Sequence, residues 1–227
     1  VHIVSLMDEL EKQMRDWDTL GAIRLGATIT IGTHLLPELV RQYQAEFPEL
    51  RVEVKVCKAS QVEQLVLDNA IDIGLIETQP EHPDLQAAAF LEDELCAIVP
   101  PGSALAQKTS VTLPALAKQP FLMREPGSSG RKILDAAFAL HHLSVSPVWE
   151  SVSTQAIIQA VSQGLGVAVL PKLLVERDVQ DGAVAMLPFD VPLRRTLYIV
   201  HHRQKFLSSN MQRFIALCQT AKLPNIG

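Results

Sequence analysis

From Gly21 onward, short apolar runs alternate with amphipathic ones, and this alternation limits the possible folds more than any other feature of the chain. "RLGATITI" reads as a strand and "HLLPELVRQYQAEFP" as an amphipathic helix with Leu35, Leu39 and Tyr43 on one side. "RVEVKVC" alternates with period two, which predicts Val52, Val54 and Val56 on one strand face. "SQVEQLVLDNA" predicts a helix opened by a Ser60/Glu63 capping box, and "DIGLI" a short buried strand. A β-α-β-α-β order predicts a parallel sheet with helices on its faces, because parallel neighbours need a crossover between them.

The middle of the chain repeats the theme. "CAIVP", "FLM" and "GVAVLP" read as strands, and "SGRKILDAAFALHHL" and "STQAIIQAVSQG" as helices. "PKLLVERDVQDG" carries proline at its start and glycine at its end, the usual helix asymmetry. "RTLYIVHH" and "SSNMQRFIALCQTA" then supply a last strand and a last helix. The element order predicts two similar α/β lobes. At 227 residues the chain is long enough for either one large core or two small ones.

In open α/β sheets, ligands gather outside the carboxyl ends of strands, beside helix N-termini. Three hydroxyl-rich turns fit that position: "TITIGTH" with Thr28, Thr30 and Thr33, "EPGSSGR" with Ser128 and Ser129, and "ESVSTQA" with Ser151, Ser153 and Thr154. Free N–H groups and the helix dipole make such turns anion sites. The alternative is plain capping, the ordinary use of Ser and Thr at helix starts. The sequence pattern leaves both readings open.

Composition and motifs exclude much else. A formal net charge of -5 and the lack of a basic stripe argue against nucleic-acid binding by these residues. Neither a signal-peptide pattern nor an apolar run of bilayer length occurs, which predicts a cytoplasmic protein without a membrane partner. Cys57, Cys96 and Cys218 are odd in number and far apart, unlike a disulfide framework or a zinc site. "GSSGRK" lacks P-loop spacing, "GLGVA" lacks the third glycine of a dinucleotide fingerprint, and no nucleophile elbow or zincin motif is found. The His141-His142 and His201-His202 pairs point apart, and "EDE" at 92–94 reads as a solvated or hinge-linked turn before a metal site. No catalytic residue, metal ligand or cofactor site is expected. Upstream of Gly21, Ile3, Met7, Leu10, Met14 and Trp17 follow the a/d spacing of a short coiled coil, or of one amphipathic helix on its own domain.

Taken together, "IRLGATITIGTHLLPELVRQYQAEFPELRVEV", "LVLDNAIDIGLIE", "LEDELCAIVPPGSAL", "FLMREPGSSGRKILD" and "QAVSQGLGVAVLPKLLV" resemble, in order and spacing, the effector-binding domain of LysR-type transcriptional regulators. The likeness is greatest to its YeiE/CysB-type, anion-sensing branch. The resemblance implies two Rossmann-like lobes joined by two crossover strands, a type 2 periplasmic-binding-protein-like fold. Residues 1–20 would be the end of a linker helix, 21–93 with 202–227 lobe I, and 94–201 lobe II. The family's winged helix-turn-helix lies upstream of this region, so promoter DNA would be a partner only through that other part. The resemblance also implies self-association as a dimer, or a tetramer in the full protein. It places a small anionic effector, sulfite- or sulfate-like, between the lobes. The positions it implies are Thr28 and Thr30, Ser128 and Ser129, and Ser153 and Thr154. Relatives commonly read GSGTR where this chain has "GSSGR", which moves a hydroxyl from position 130 to 129 and favours a compact oxyanion. Three rivals remain: a transporter's solute-binding protein, a regulator of organic carboxylates, and an enzyme on the same scaffold, for which no acid/base pair is evident.

Overall fold

The computed structural model describes residues 21–221, so the heptad at Ile3–Trp17 lies outside the described residues. The chain forms two compact units: one runs to Leu91 and resumes at Thr196, and the other spans Glu92–Arg195. The sequence reading puts the crossings at 93/94 and 201/202. They cannot be read more closely, because each falls inside a continuous strand that offers no turn residue as a marker. Those strands are β4, Leu85–Val99, and β9, Leu193–His202.

The first unit is built on β1 (Ala22–Ala27), β2 (Arg51–Val56) and β3 (Ile73–Ile76), with β1 pairing in parallel with both neighbours. β9 adds to β3 antiparallel, Leu75 opposite Ile199, so the expected parallel sheet becomes mixed at one side. Its helices are α1 (Ile29–His34), α2 (Leu36–Glu46), α3 (Ala59–Leu67) and α8 (Ser209–Thr220). α3 packs on β1 and β3, with Val62 and Val66 buried in a cluster with Ile71, Ile76 and Val200. Gln61 closes its N-terminus by accepting from the Lys58 N–H at 3.2 Å. The expected Ser60/Glu63 box is displaced because the helix begins earlier, at Ala59. α2 and α8 meet through Tyr43, whose ring stands edge-on to Phe214 and whose hydroxyl donates to the Asn210 carbonyl at 3.0 Å.

β2 departs from its sequence pattern. It alternates as a half-buried strand would, yet Val54 and Val56 are 44% and 49% exposed. The reason is position: β2 ends the strand order on this side, and α3 covers its neighbours instead.

The second unit has the order β4-β7-β5-β6, with β5 at Phe121–Arg124, β6 at Trp149–Ser151, β7 at Val167–Pro171, and β8 (Ala185–Leu187) pairing with β4. Here both faces are covered, so strands read as unbroken apolar runs. Leu95, Ala97 and Val99 face one core with Phe121, Met123 and Phe138, while Cys96 and Ile98 face another with Leu122, Ile157 and Val161. A short helix α4 (Leu113–Leu116) and α5 (Ser129–Leu140) serve the first core. α6 (Thr154–Ser162) and α7 (Lys172–Gln180) serve the second. At the turn into β7, Gly166 takes φ +156, and a Cβ there would lie 2.3 Å from the Pro120 carbonyl oxygen, so only glycine fits.

Candidate functional site

In the first unit, "RLGATITI" is a strand only as far as Ala27. Ladder partners on both sides stop at that residue, and the chain turns into α1 at Ile29. Gly32 lets α1 lie close to the end of β2, since a Cβ there would sit 2.7 Å from a Val56 methyl. Thr28 is therefore the N-cap of α1 instead of a strand residue, with φ -72 and ψ 165. Its N–H donates to the Leu75 carbonyl at 3.0 Å, and its own carbonyl accepts from Gly32 at 2.8 Å. The Thr28 hydroxyl makes no capping bond, and its oxygen is buried with no hydrogen-bond partner among the described residues. Thr30 is buried inside α1, and Thr33 donates back to the Ile29 carbonyl at 2.7 Å, a bond local to the helix.

In the second unit, β5 and β6 run parallel with Arg124 opposite Ser151, so α5 and α6 both leave from the carboxyl ends of adjacent strands. Ser128 and Ser153 are their N-caps. Each hydroxyl accepts from the N–H three residues on, Arg131 at 3.3 Å and Ala156 at 3.2 Å. For these two the capping reading holds. Ser129 and Thr154 stand one residue further along and do something else. Ser129 Oγ accepts from Arg195 Nη1 at 2.9 Å, and Thr154 Oγ1 accepts from Arg124 Nη1 at 2.8 Å. A hydroxyl that accepts from a guanidinium keeps its own proton to donate.

Both arginines are held by carboxylates. Arg195 reaches Asp93 Oδ2 through Nε at 2.8 Å and Nη2 at 2.7 Å, with both side chains almost wholly buried. Arg124 Nε lies 2.8 Å from Glu125 Oε2. Arg131 donates to the Arg124 carbonyl at 2.7 Å and pairs with Asp135 at 2.9 Å, so it braces the turn. The local arrangement is rich in donors while every guanidinium has a counter-ion.

Asp93 and Arg195 escaped the sequence reading. The "EDE" run is not a turn: it lies within β4, and Asp93 shares the inward face of Leu95 and Ala97. A signal was present in β9, where Leu193, Arg195, Leu197 and Ile199 fall on alternate positions. A charge inside that stripe must find a buried partner.

No group of three or more metal-ligating side chains occurs among the described residues. The cysteines are all free; burial pushes the Cys218 thiol up to about 12, and Cys96 is raised further for the same reason. No helix among the described residues is long and apolar enough to cross a membrane.

Residues 18–222 match the LysR substrate binding domain family. The chain is 37% identical over 217 residues to an uncharacterised HTH-type transcriptional regulator, YeiE of Escherichia coli strain K12, covering 95% of this chain and 73% of that protein. Among solved structures, the cofactor-binding domain of the Cbl transcriptional regulator superposes with a TM-score of 0.82 at 25% identity, covering 90% of each chain. The Synechocystis PCC6803 CcmR regulatory domain, in complex with 2-PG, superposes at 0.80 and 28% identity, covering 88% of this chain and 96% of that one. The fold is thus the mixed α/β, type 2 periplasmic-binding-protein-like fold of these domains. The chain belongs to the LysR substrate-binding family and is the effector-binding domain of a LysR-type transcriptional regulator, not an enzyme.

Proposed function

We propose that this domain senses a small oxyanion, sulfite- or sulfate-like, with Thr28 and Thr30 of the first unit and Ser128, Ser129, Ser153 and Thr154 of the second as the residues that bind it. The observation that carries the reading is the Thr28 hydroxyl, buried at a strand's carboxyl end without a partner among the described residues. A buried hydroxyl left unpaired costs about 1–3 kcal/mol, a cost an anion accepting its proton would offset. The hydroxyls at the starts of α5 and α6 support the same ligand chemistry, since Ser129 and Thr154 accept from guanidinium groups and keep their own protons to donate. In this reading the ligand alters the oligomer through which a cytoplasmic parent protein grips promoter DNA, using its helix-turn-helix part. A ligand can drive such a change only by its difference in affinity for the two states.

Titration calorimetry with sulfite, sulfate, thiosulfate, phosphate and an aromatic carboxylate tests this. Saturable micromolar binding of one sulfur oxyanion is the expected result. Heat from organic anions alone would discard the effector class and favour a second reading, an organic carboxylate effector. That alternative draws on the likeness to the CcmR domain solved with 2-PG.

A further inference from the structure

We infer that Arg195, held by Asp93, is a specificity-determining positioning residue: it turns the Ser129 hydroxyl into a donor and so selects an oxyanion that carries no proton of its own. The inference rests on the oxyanion reading above and adds to it a protonation state and a residue that governs it.

Arg195 and Asp93 form a buried ion pair. Side chains of Arg195 and Asp93 are 2% and 0% exposed, and a buried ion pair often adds no stability over apolar residues of similar volume. Two of the three guanidinium nitrogens are spent on Asp93. The third, Nη1, donates to Ser129 Oγ at 2.9 Å, so the pair fixes that hydroxyl. With one lone pair taken by a cation, the Ser129 proton is directed elsewhere. The positive field behind it also opposes any approaching donor.

The same device occurs a second time with different parts. Arg124, held by Glu125, donates to Thr154 Oγ1 at the start of the neighbouring helix. Because each guanidinium is matched by a carboxylate, net charge does not set the preference. Donor direction sets it. Sulfate presents only acceptors. Phosphate above neutral pH has the same double negative charge but keeps one P–OH, which must face a donor or turn away.

The test compares sulfate, sulfite and inorganic phosphate by titration calorimetry above neutral pH, on the wild-type chain and on variants whose folding is checked by thermal melting. Wild type is expected to bind a sulfur oxyanion at least about ten-fold more tightly than phosphate, the scale of one hydrogen bond to a charged group. The Asp93→Asn/Arg195→Met double variant leaves neither charge buried alone, and should bring that ratio close to one. Ser129→Ala should lower the ratio similarly, and adding the double substitution to Ser129→Ala should change it little further; a merely structural role would give additive losses. If the double variant fails to fold, Ser129→Ala and Arg195→Lys read the same ratio. Equal wild-type affinity for the two anion types, or a folded variant with its selectivity intact, overturns the inference and leaves the oxyanion reading standing. Wild type that binds neither sulfate nor sulfite overturns the reading beneath it, and the inference with it.

Discussion

At the scale of single residues, Thr28 separates stability from function. Its hydroxyl is buried, caps nothing and has no partner among the described residues, so it contributes no hydrogen bond to the fold. Thr28→Val keeps the shape and removes the unpaired oxygen. The ligand-free protein should gain about 1 kcal/mol, seen as a rise in Tm of roughly 2–4 °C for a chain of this size. Sulfur-oxyanion binding in calorimetry should weaken by about ten-fold or more in the same variant. A fall in Tm would mean that the hydroxyl has an internal role. Part of this was legible in advance: the string "TITIGTH" marks Thr28 and Thr30 as candidates. Which of the two hydroxyls lacks a partner was not, because that depends on where β1 ends and α1 begins.

At the scale of elements, Asp72 ties three segments of the first unit together. It precedes β3, accepts from Arg24 of β1 at 2.7 Å through Nη2, and pairs with Lys205, just beyond β9, at 2.6 Å. Burial pushes its carboxyl up, but hydrogen bonds from Arg24 and Lys205 outweigh that and hold it below the usual carboxylate range. A depressed folded pKa contributes stability above the unfolded value, near 4, which is lost as pH falls through the folded value. Asp72→Asn should therefore cost roughly 3 kcal/mol at neutral pH, and the deficit should shrink below about pH 4. Denaturant melts across that pH range check both parts. A deficit independent of pH would assign the loss to packing instead of charge. Sequence periodicity found the elements that Asp72 joins, but it gave no sign that this carboxylate joins them.

At the scale of the whole molecule, some of the exposed apolar residues lie on strands that end each unit's order. Val54 and Val56 lie on β2; Val148, Trp149 and Val152 lie on or beside β6. An open strand edge with apolar side chains is a template for another chain. These edges support the proposed self-association, with copies of this chain as the covering partner. Val54→Glu should shift sedimentation velocity profiles toward monomer without lowering Tm, because the side chain is already 44% exposed. An unchanged oligomer would remove β2 from the interface. The alternation in "RVEVKVC" predicts the strand and the shared face of Val52, Val54 and Val56, but not that Val54 and Val56 stay exposed, since covered and uncovered strands share one pattern.

The sequence by itself determined the element order, the duplicated α/β plan and the turns where hydroxyls gather. These follow from local periodicity, capping chemistry and breakers that act over a few residues. Only the tertiary structure decided which hydroxyls cap and which are set by a guanidinium. Ser128 and Ser153 bond within their own turns, whereas Ser129 is set by Arg195, a contact between residues 66 apart in sequence. It also decided that Asp93 lies buried inside a strand and finds its counter-charge 102 residues away. The physical reason is one of range. Backbone preference and hydrophobic period are written into neighbouring residues, while the burial of a charge and the direction of a hydroxyl proton are fixed by groups that meet only after the chain has folded.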